Sequence, residues 1–366
     1  MILWRYISRE IFLLFIVSLL TLNSLLVSIR LATLVLTLSQ EHLYFRDYVH
    51  LFSYLMPYFL TFTLPLAGLI AVLFTFMRLS QDQEILAFQS LGIPFRKLLP
   101  PVITLALLTF LLSFWVTLNL MPWSKRALRN FLFDLTQRKL AQGIPPKSFI
   151  NWIPGFSIFV QQSWHGGKNF ASVFIVDRST PSKRGLIFAS KGQMELHGKQ
   201  VIFRLFNGCI HLVNHKYNET EELRFKEYVY RFDLTHLQHS RSPSRGELSL
   251  STLRAMAKKF PPRSPKRLKY LIEYWKRLAF PGAAFFLALL GAPLGITMRA
   301  SGKGLGLLLA VMLFLLYYFL FSAATNIAQR GLIPPGLSLN IPNMVMGGIS
   351  LLLLWFADKG KLGFKP

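Results

Sequence analysis

The sequence predicts an α-helical membrane protein of six transmembrane helices, with an all-β domain inserted between the third and the fourth. Three observations carry this. The chain of 366 residues is 52% hydrophobic and only 16% charged, well short of the roughly 25% charge of a soluble domain. Six apolar runs reach or approach the ~20 residues that a helix needs to cross a bilayer. Between the third and fourth runs, residues 122–270 hold no such stretch, and the hydrophobic period there changes from 3.6 to 2.

The apolar runs are Ile11 to Thr37, Leu51 to Met77, Leu98 to Met121, Leu271 to Thr297, Gly304 to Ile327 and Ile341 to Ala357. The first is too long for the core of a signal peptide and is followed by no small-residue cleavage motif, so it reads as a retained helix. The last is short and contains Gly347 and Gly348. The expected organisation is therefore 1–121, 122–270 and 271–366. Each triplet of helices is too small to enclose a transport path alone, which points to a partner subunit.

Residues 122–270 carry 26 Lys and Arg against 9 Asp and Glu, most of the net +25 of the whole chain. Ser124 to Gln142 reads as an amphipathic helix with Leu128, Phe131, Leu132 and Leu135 on one face. Strands are expected at 156–162, 170–177, 185–190, 192–197, 201–206, 209–214 and 223–234, separated by turns such as His165-Gly166-Gly167. That spacing fits a sandwich, a jelly roll or an open barrel. Ser251 to Phe260 reads as a short capped helix, and Pro261-Pro262 with Ser264-Pro265 as a stiff link back to the membrane. No aromatic RNA-binding motif accompanies the basic surface, which disfavours nucleic acid. A solvated charged face and a groove for acyl chains both remain compatible.

Several chemistries are excluded. Nothing matches a phosphate-binding loop; Ser301-Gly302-Lys303-Gly304 comes nearest, but lacks the spaced first glycine and the hydroxyl after lysine. The eight histidines show no metal-ligand spacing. His211 and His215 share one strand face and little more, so no metal is expected. The single cysteine, Cys209, excludes an internal disulfide and reads as core. No carboxylate pair lies inside an apolar run, as a proton relay would require, so the energy source is expected to be external.

The segment from Arg78 to Pro94 has the form of a short amphipathic helix at about 80–92, with Ile85, Phe88 and Leu91 as its apolar strip and Gly92 as its C-cap. It reads either as a plain surface helix or as a coupling helix that offers Glu84 to a cytosolic motor. Charge leaves the orientation open. Arg5, Arg9, Arg78, Arg96, Lys97, Arg299, Lys303, Lys359, Lys361 and Lys365 place the N-terminus inside against Arg46 and Arg330 outside. The basic flanks of the inserted domain would reverse that orientation if they were counted.

Arg5-Tyr6 with Arg9-Glu10, Pro65-Leu66 in the second run, Glu84-x-x-Ala87-x-x-x-x-Gly92 and the six-helix layout together resemble the LptF/LptG permeases, the paired membrane subunits of the lipopolysaccharide export ABC transporter. The resemblance covers essentially the whole chain, and the opening residues are closer to the F-type subunit. It implies a bacterial inner-membrane location with a cytoplasmic N-terminus and a periplasmic β-jellyroll domain. It also implies a sister LptF/LptG subunit, a cytosolic LptB ATPase dimer, an LptC and LptA bridge, and lipopolysaccharide as cargo. ATP and Mg would be used by the partner ATPase, so this chain needs no cofactor and is not an enzyme.

Within that resemblance Glu84 is the ATPase-coupling carboxylate, with Asp82 second, and Arg30 meets the phosphates of lipid A. Arg9 to Arg30 spans about 32 Å of helix, so Arg30 falls near the outer headgroup level, where a snorkelling anchor would serve equally. Arg46, Lys276 and Arg277 are read as a basic rim or as interface anchors. Phe314, Tyr317, Phe321 and Thr325 share one face of the fifth helix, to line an acyl-chain cavity or to face the bilayer. Gly291 with Gly295, and Gly302 with Gly306, are small-residue steps for close helix approach. Two other functions stay open: a lipid-modifying membrane enzyme, and a non-transporting scaffold with a cytosolic basic domain.

Overall fold

The computed structural model describes residues 2–38, 44–144, 146–150, 156–180, 183–197, 200–214, 219–233, 244–262, 264–298 and 302–359; His215, Arg299, Lys361 and Lys365 lie outside them. The chain forms two compact units, one of residues 1–128 with 245–366 and one of residues 129–244. Among the described residues six helices are long and apolar enough to cross a membrane.

The first two spans are unbroken helices, α1 (Ile2–Leu38) and α2 (Phe45–Gln81), followed by the short α3 (Glu84–Ser90). The third is α4 (Pro100–Trp115), which runs through a π-helical turn at Val116–Leu120 into α5 (Met121–Gln142). The amphipathic segment expected from Ser124 is thus the continuation of the third span. After the β-domain come α6 (Leu250–Lys258), α7 (Pro265–Ala279) and α8 (Gly282–Thr297). Helices α7 and α8 form one span that breaks at Phe280-Pro281, because proline brings no backbone N–H to the helix ladder. The last two spans are α9 (Lys303–Gln329) and α10 (Pro335–Asp358).

The centre of the helical unit is the contact between α2 and α8. A Cβ on Gly291 would lie 2.8 Å from Val72 Cβ and 2.9 Å from the Leu73 nitrogen; one on Gly295 would lie 2.6 Å from the Leu73 carbonyl oxygen. The two backbones therefore touch with no side chain between them, which in lipid gains packing where no hydrophobic drive exists. Leu64, Ala67, Ala71, Val72 and Phe76 of α2 are buried in one core with Ala288, Ala292 and Ile296 of α8. The other expected small-residue step is reduced to one residue: a Cβ on Gly306 would lie 3.1 Å from Met77 Sδ and 3.2 Å from Leu73 Cδ2, whereas one on Gly302 would meet nothing within 4 Å.

Among the described residues the β-domain holds six antiparallel strands in sequential order: β1 (Ser148–Ile150), β2 (Phe156–Trp164), β3 (Asn169–Thr180), β4 (Lys183–His197), β5 (Gln200–Asn214) and β6 (Glu219–Asp233). Strands expected separately at 185–190 and 192–197 are one strand, as are 201–206 and 209–214. The cause is a transverse crease. Gln161, Ser172, Ser190, Asn207 and Lys226 occupy successive positions across β2 to β6 where the pairing ladder is interrupted, yet the register is the same on both sides. Ser172 and Asn207 take left-handed conformations, with φ 53° and 50°. The Ser190 hydroxyl donates to the Asn207 carbonyl at 2.9 Å.

Sidedness inverts at the crease. Phe170 and Val173 both point into the core, as do Leu205 and Ile210. Each of β2 to β6 therefore contains a phase slip in its apolar alternation, and a period-2 reading takes the slip for a strand end.

Gly295→Ala should force α2 and α8 apart and destabilise the helical unit by about 1–3 kcal/mol. Thermal unfolding in detergent should show a lower midpoint for this variant and no fall for Gly348→Ala, whose added methyl meets nothing within 4 Å and favours the helix. Equal midpoints would exclude the close approach.

Candidate functional site

Helices α2 and α3 meet at a sharp turn in which Gln83 adopts the left-handed conformation (φ 57°). This turn gathers the polar residues of three segments around one guanidinium. Arg78 grips both oxygens of Glu10 through Nε and Nη2. Its Nη2 also donates to the Tyr6 hydroxyl at 2.8 Å, and Nη1 reaches Asp82 at 3.1 Å and Glu84 at 3.3 Å. The Tyr6 hydroxyl in turn donates to Glu84 Oε1 at 3.1 Å. Among the described residues, three carboxylates thus share this one guanidinium, and the cluster taken by itself holds more negative than positive charge.

Local sequence explains each placement. Tyr6 and Glu10 are four apart on α1 and share a face, as do Arg78 in the last turn of α2 and Asp82, its C-cap. Ile85 is buried and Phe88 packs against the same core. Gly92 (φ +77°) ends α3 as the glycine of a Schellman motif, in which its own N–H bonds Gln89 and that of Ile93 bonds Phe88. Leu91, expected on the inner strip, is 76% exposed, and Leu86 is 43% exposed. The outward surface of α3 therefore carries two free leucines beside the acidic cluster. Arg96 bonds Asp358 at the same end and fastens α10 to the turn after α3.

At the opposite end of the bundle, a cavity of about 420 Å³ opens between α2, α5, α7 and α9. Lys125, Lys276 and Arg277 line it together with Tyr58, Phe280, Tyr318, Phe321 and Asn326. The two neighbouring cations on α7 behave differently. Arg277 has a side chain only 2% exposed and donates to the carbonyls of Leu248 at 2.6 Å, Gly246 at 2.8 Å and Arg245 at 3.1 Å, with Glu273 3.5 Å away. It pins the returning chain onto α7. Lys276 is half-buried and Lys125 lies over the Tyr58 ring at 5.7 Å.

The aromatic face chosen on the fifth span splits as well. Phe321 lines the cavity and packs edge-on to Phe280. Tyr317 is wholly buried and donates to Asn343 Oδ1 at 3.0 Å, while Asn343 donates to the Ala279 carbonyl at 2.7 Å. Phe314 packs against the same core. In this conformation that face is turned into the protein and not to the bilayer; the exposed stripe of α9 is Leu305, Leu308, Met312, Leu315 and Phe319. Arg30 is exposed on α1, and Arg46 bonds His50 at 3.3 Å; neither lines the cavity. Thr325, on the same face, does line it.

Sequence reading missed Arg78, Tyr6 and Glu10 as one cluster and Lys125 as a cavity residue. The i, i+4 spacings within α1 and α2 were the available signal for the former.

The family model described as lipopolysaccharide export system permease LptF/LptG matches residues 5–355. The chain belongs to the LptF/LptG family. It is thus a multi-pass membrane protein of a permease family that serves lipopolysaccharide export. It is also similar to the uncharacterized protein RP871 of Rickettsia prowazekii (strain Madrid E), at 24% identity over 162 residues. That alignment covers 44% of this chain and 45% of the rickettsial protein, so less than half of the relative's length is spanned.

Arg78→Gln should release α3 from α1. Amide exchange over residues 84–91 should speed up about tenfold, or ~1.4 kcal/mol, and Tyr6→Phe should give a smaller rise. Unchanged protection in both variants would show that the apolar contacts of Ile85 and Phe88 hold α3 alone.

Proposed function

We propose that this chain is one permease subunit of an ABC transporter that lifts lipopolysaccharide out of the bacterial inner membrane and passes it to a periplasmic bridge. The observation that carries the reading is the uneven burial of the spans. In α2 and in the α7–α8 span 72% of the most apolar window is buried, but in α1 and α9 only 22% is. The first and fifth spans therefore keep long apolar faces unpartnered within the chain, which suits a sister LptF/LptG subunit and a glycolipid held between them. Acyl chains need such a surface, and phosphates need cations above it. Arg30, Lys276 and Lys125 supply the cations.

The motor is a separate ATPase of the LptB type, which would use ATP and Mg. It would dock on the outward face of α3, where Leu86 and Leu91 fit an apolar groove and Glu84 with Asp82 meet basic residues. Force would then pass through the Arg78 cluster to α1 and α2 together. The β-domain lies in the periplasm, and its antiparallel sheet hands the lipid on to LptC and LptA.

Glu84→Ala should reduce co-purification of the ATPase in mild detergent by about tenfold, and Leu91→Asp should do the same; full retention in both would remove α3 as the docking element. Arg30→Glu and Lys276→Glu should lower photo-crosslinking of lipopolysaccharide to α1, and an unaltered yield would return both residues to interface anchoring. In a Cys209→Ser background, labelling of a cysteine introduced in residues 156–233 by an impermeant reagent from the periplasmic side is expected. Labelling from the cytoplasm alone would favour the scaffold alternative.

A further inference from the structure

The face of the β-sheet turned away from its core carries a cluster to which the function proposed above assigns no part. On β5, Cys209 and His211 are two residues apart and so point to the same side. On β6, Glu222 is the direct cross-strand partner of His211. Cys209 Sγ lies 3.6 Å from His211 Nε2, and the ligand atoms of Cys209, His211 and Glu222 all lie within 4.8 Å of one another. We propose that these three residues form a binding site for a divalent ion of the zinc class.

The chemistry and the spacing agree. Zinc takes thiolate sulfur, imidazole nitrogen and carboxylate oxygen at about 2.0–2.3 Å in a tetrahedral shell, which places neighbouring ligand atoms about 3.5 Å apart. The sulfur–nitrogen pair already has that separation. The carboxylate needs a small inward movement, and its side chain is 45% exposed and able to make it. Mixed sulfur and nitrogen donors select against magnesium and calcium, which require oxygen shells.

Three ligands leave the fourth position for water or an exchangeable group, on the side of a surface depression of about 810 Å³ that Cys209 and Glu222 line. Phe188 stands edge-on to the imidazole with ring centres 6.0 Å apart and limits its rotation. Such an ion would staple β6, at one margin of the sheet, to β5.

One group opposes the ion. Arg224 holds Glu222 at 3.1 Å and lies in the same depression. The ion must displace the guanidinium from the carboxylate, so Arg224 acts as a competitor. This predicts a gain as well as losses.

The test uses the full chain in detergent, without a polyhistidine tag, stripped of metal and kept reduced by a phosphine. Titration with Co²⁺ should give a thiolate-to-cobalt charge-transfer band that saturates at one ion per chain and is bleached by Zn²⁺. Cys209→Ser should abolish the band. His211→Ala and Glu222→Gln should each weaken binding by about tenfold or more, and Arg224→Ala should tighten it severalfold. All four side chains lie on the outward face, and melting profiles check that each variant folds. If Cys209→Ser fails to fold, the opposed effects of Glu222→Gln and Arg224→Ala still decide. Absence of the band, its survival in Cys209→Ser, or indifference to both Glu222→Gln and Arg224→Ala would overturn the site.

Discussion

Two glycines of α8 hold the helical unit together by what they lack. Because Gly291 and Gly295 present no side chain, α2 lies against α8 backbone to backbone, and α2 becomes the fixed axis of the bundle. Both ends of that axis carry the chemistry. At one end Arg78 gathers Glu10, Asp82 and Glu84. At the other, Ser124 bonds the Tyr54 carbonyl and Lys125 lies over Tyr58. A push on α3 would meet a rigid element and not a soft one, as a mechanical coupling requires.

The six spans and the β-domain were legible because a bilayer imposes a length and a composition that no soluble fold shares. The register of the sheet was less so. Alternation identified the strands, but Asn207 and its neighbours shift the phase within them, and one strand reads as two. Arg277 illustrates a different limit. A sequence marks it as a cation near an interface, but three carbonyls of a turn that begins 32 residues earlier claim its donors. Nothing local to α7 announces them.

The same limit applies to the candidate sites. Glu84 was readable from its short amphipathic helix, whereas the cluster around it depends on α1 and α2 lying side by side, a contact 68 residues apart in the chain. His211 and Cys209 looked idle because their third companion arrives from the next strand. On α9 the aromatic stripe was real, but period alone does not say which side of a helix the protein covers; Tyr317 is inside because Asn343 offers its hydroxyl a partner.

The crease in the β-sheet has a consequence for alignment between strands. A flat sheet with alternating faces lets a strand slide by two residues at little loss. Here each of β2 to β5 has its neighbour's inversion point directly abreast of its own. A two-residue slide would set an inverted half against an upright one and turn apolar side chains outward over part of its length. The five aligned positions work like the notches of a tumbler lock, so long strands find one setting without help from the turns that join them.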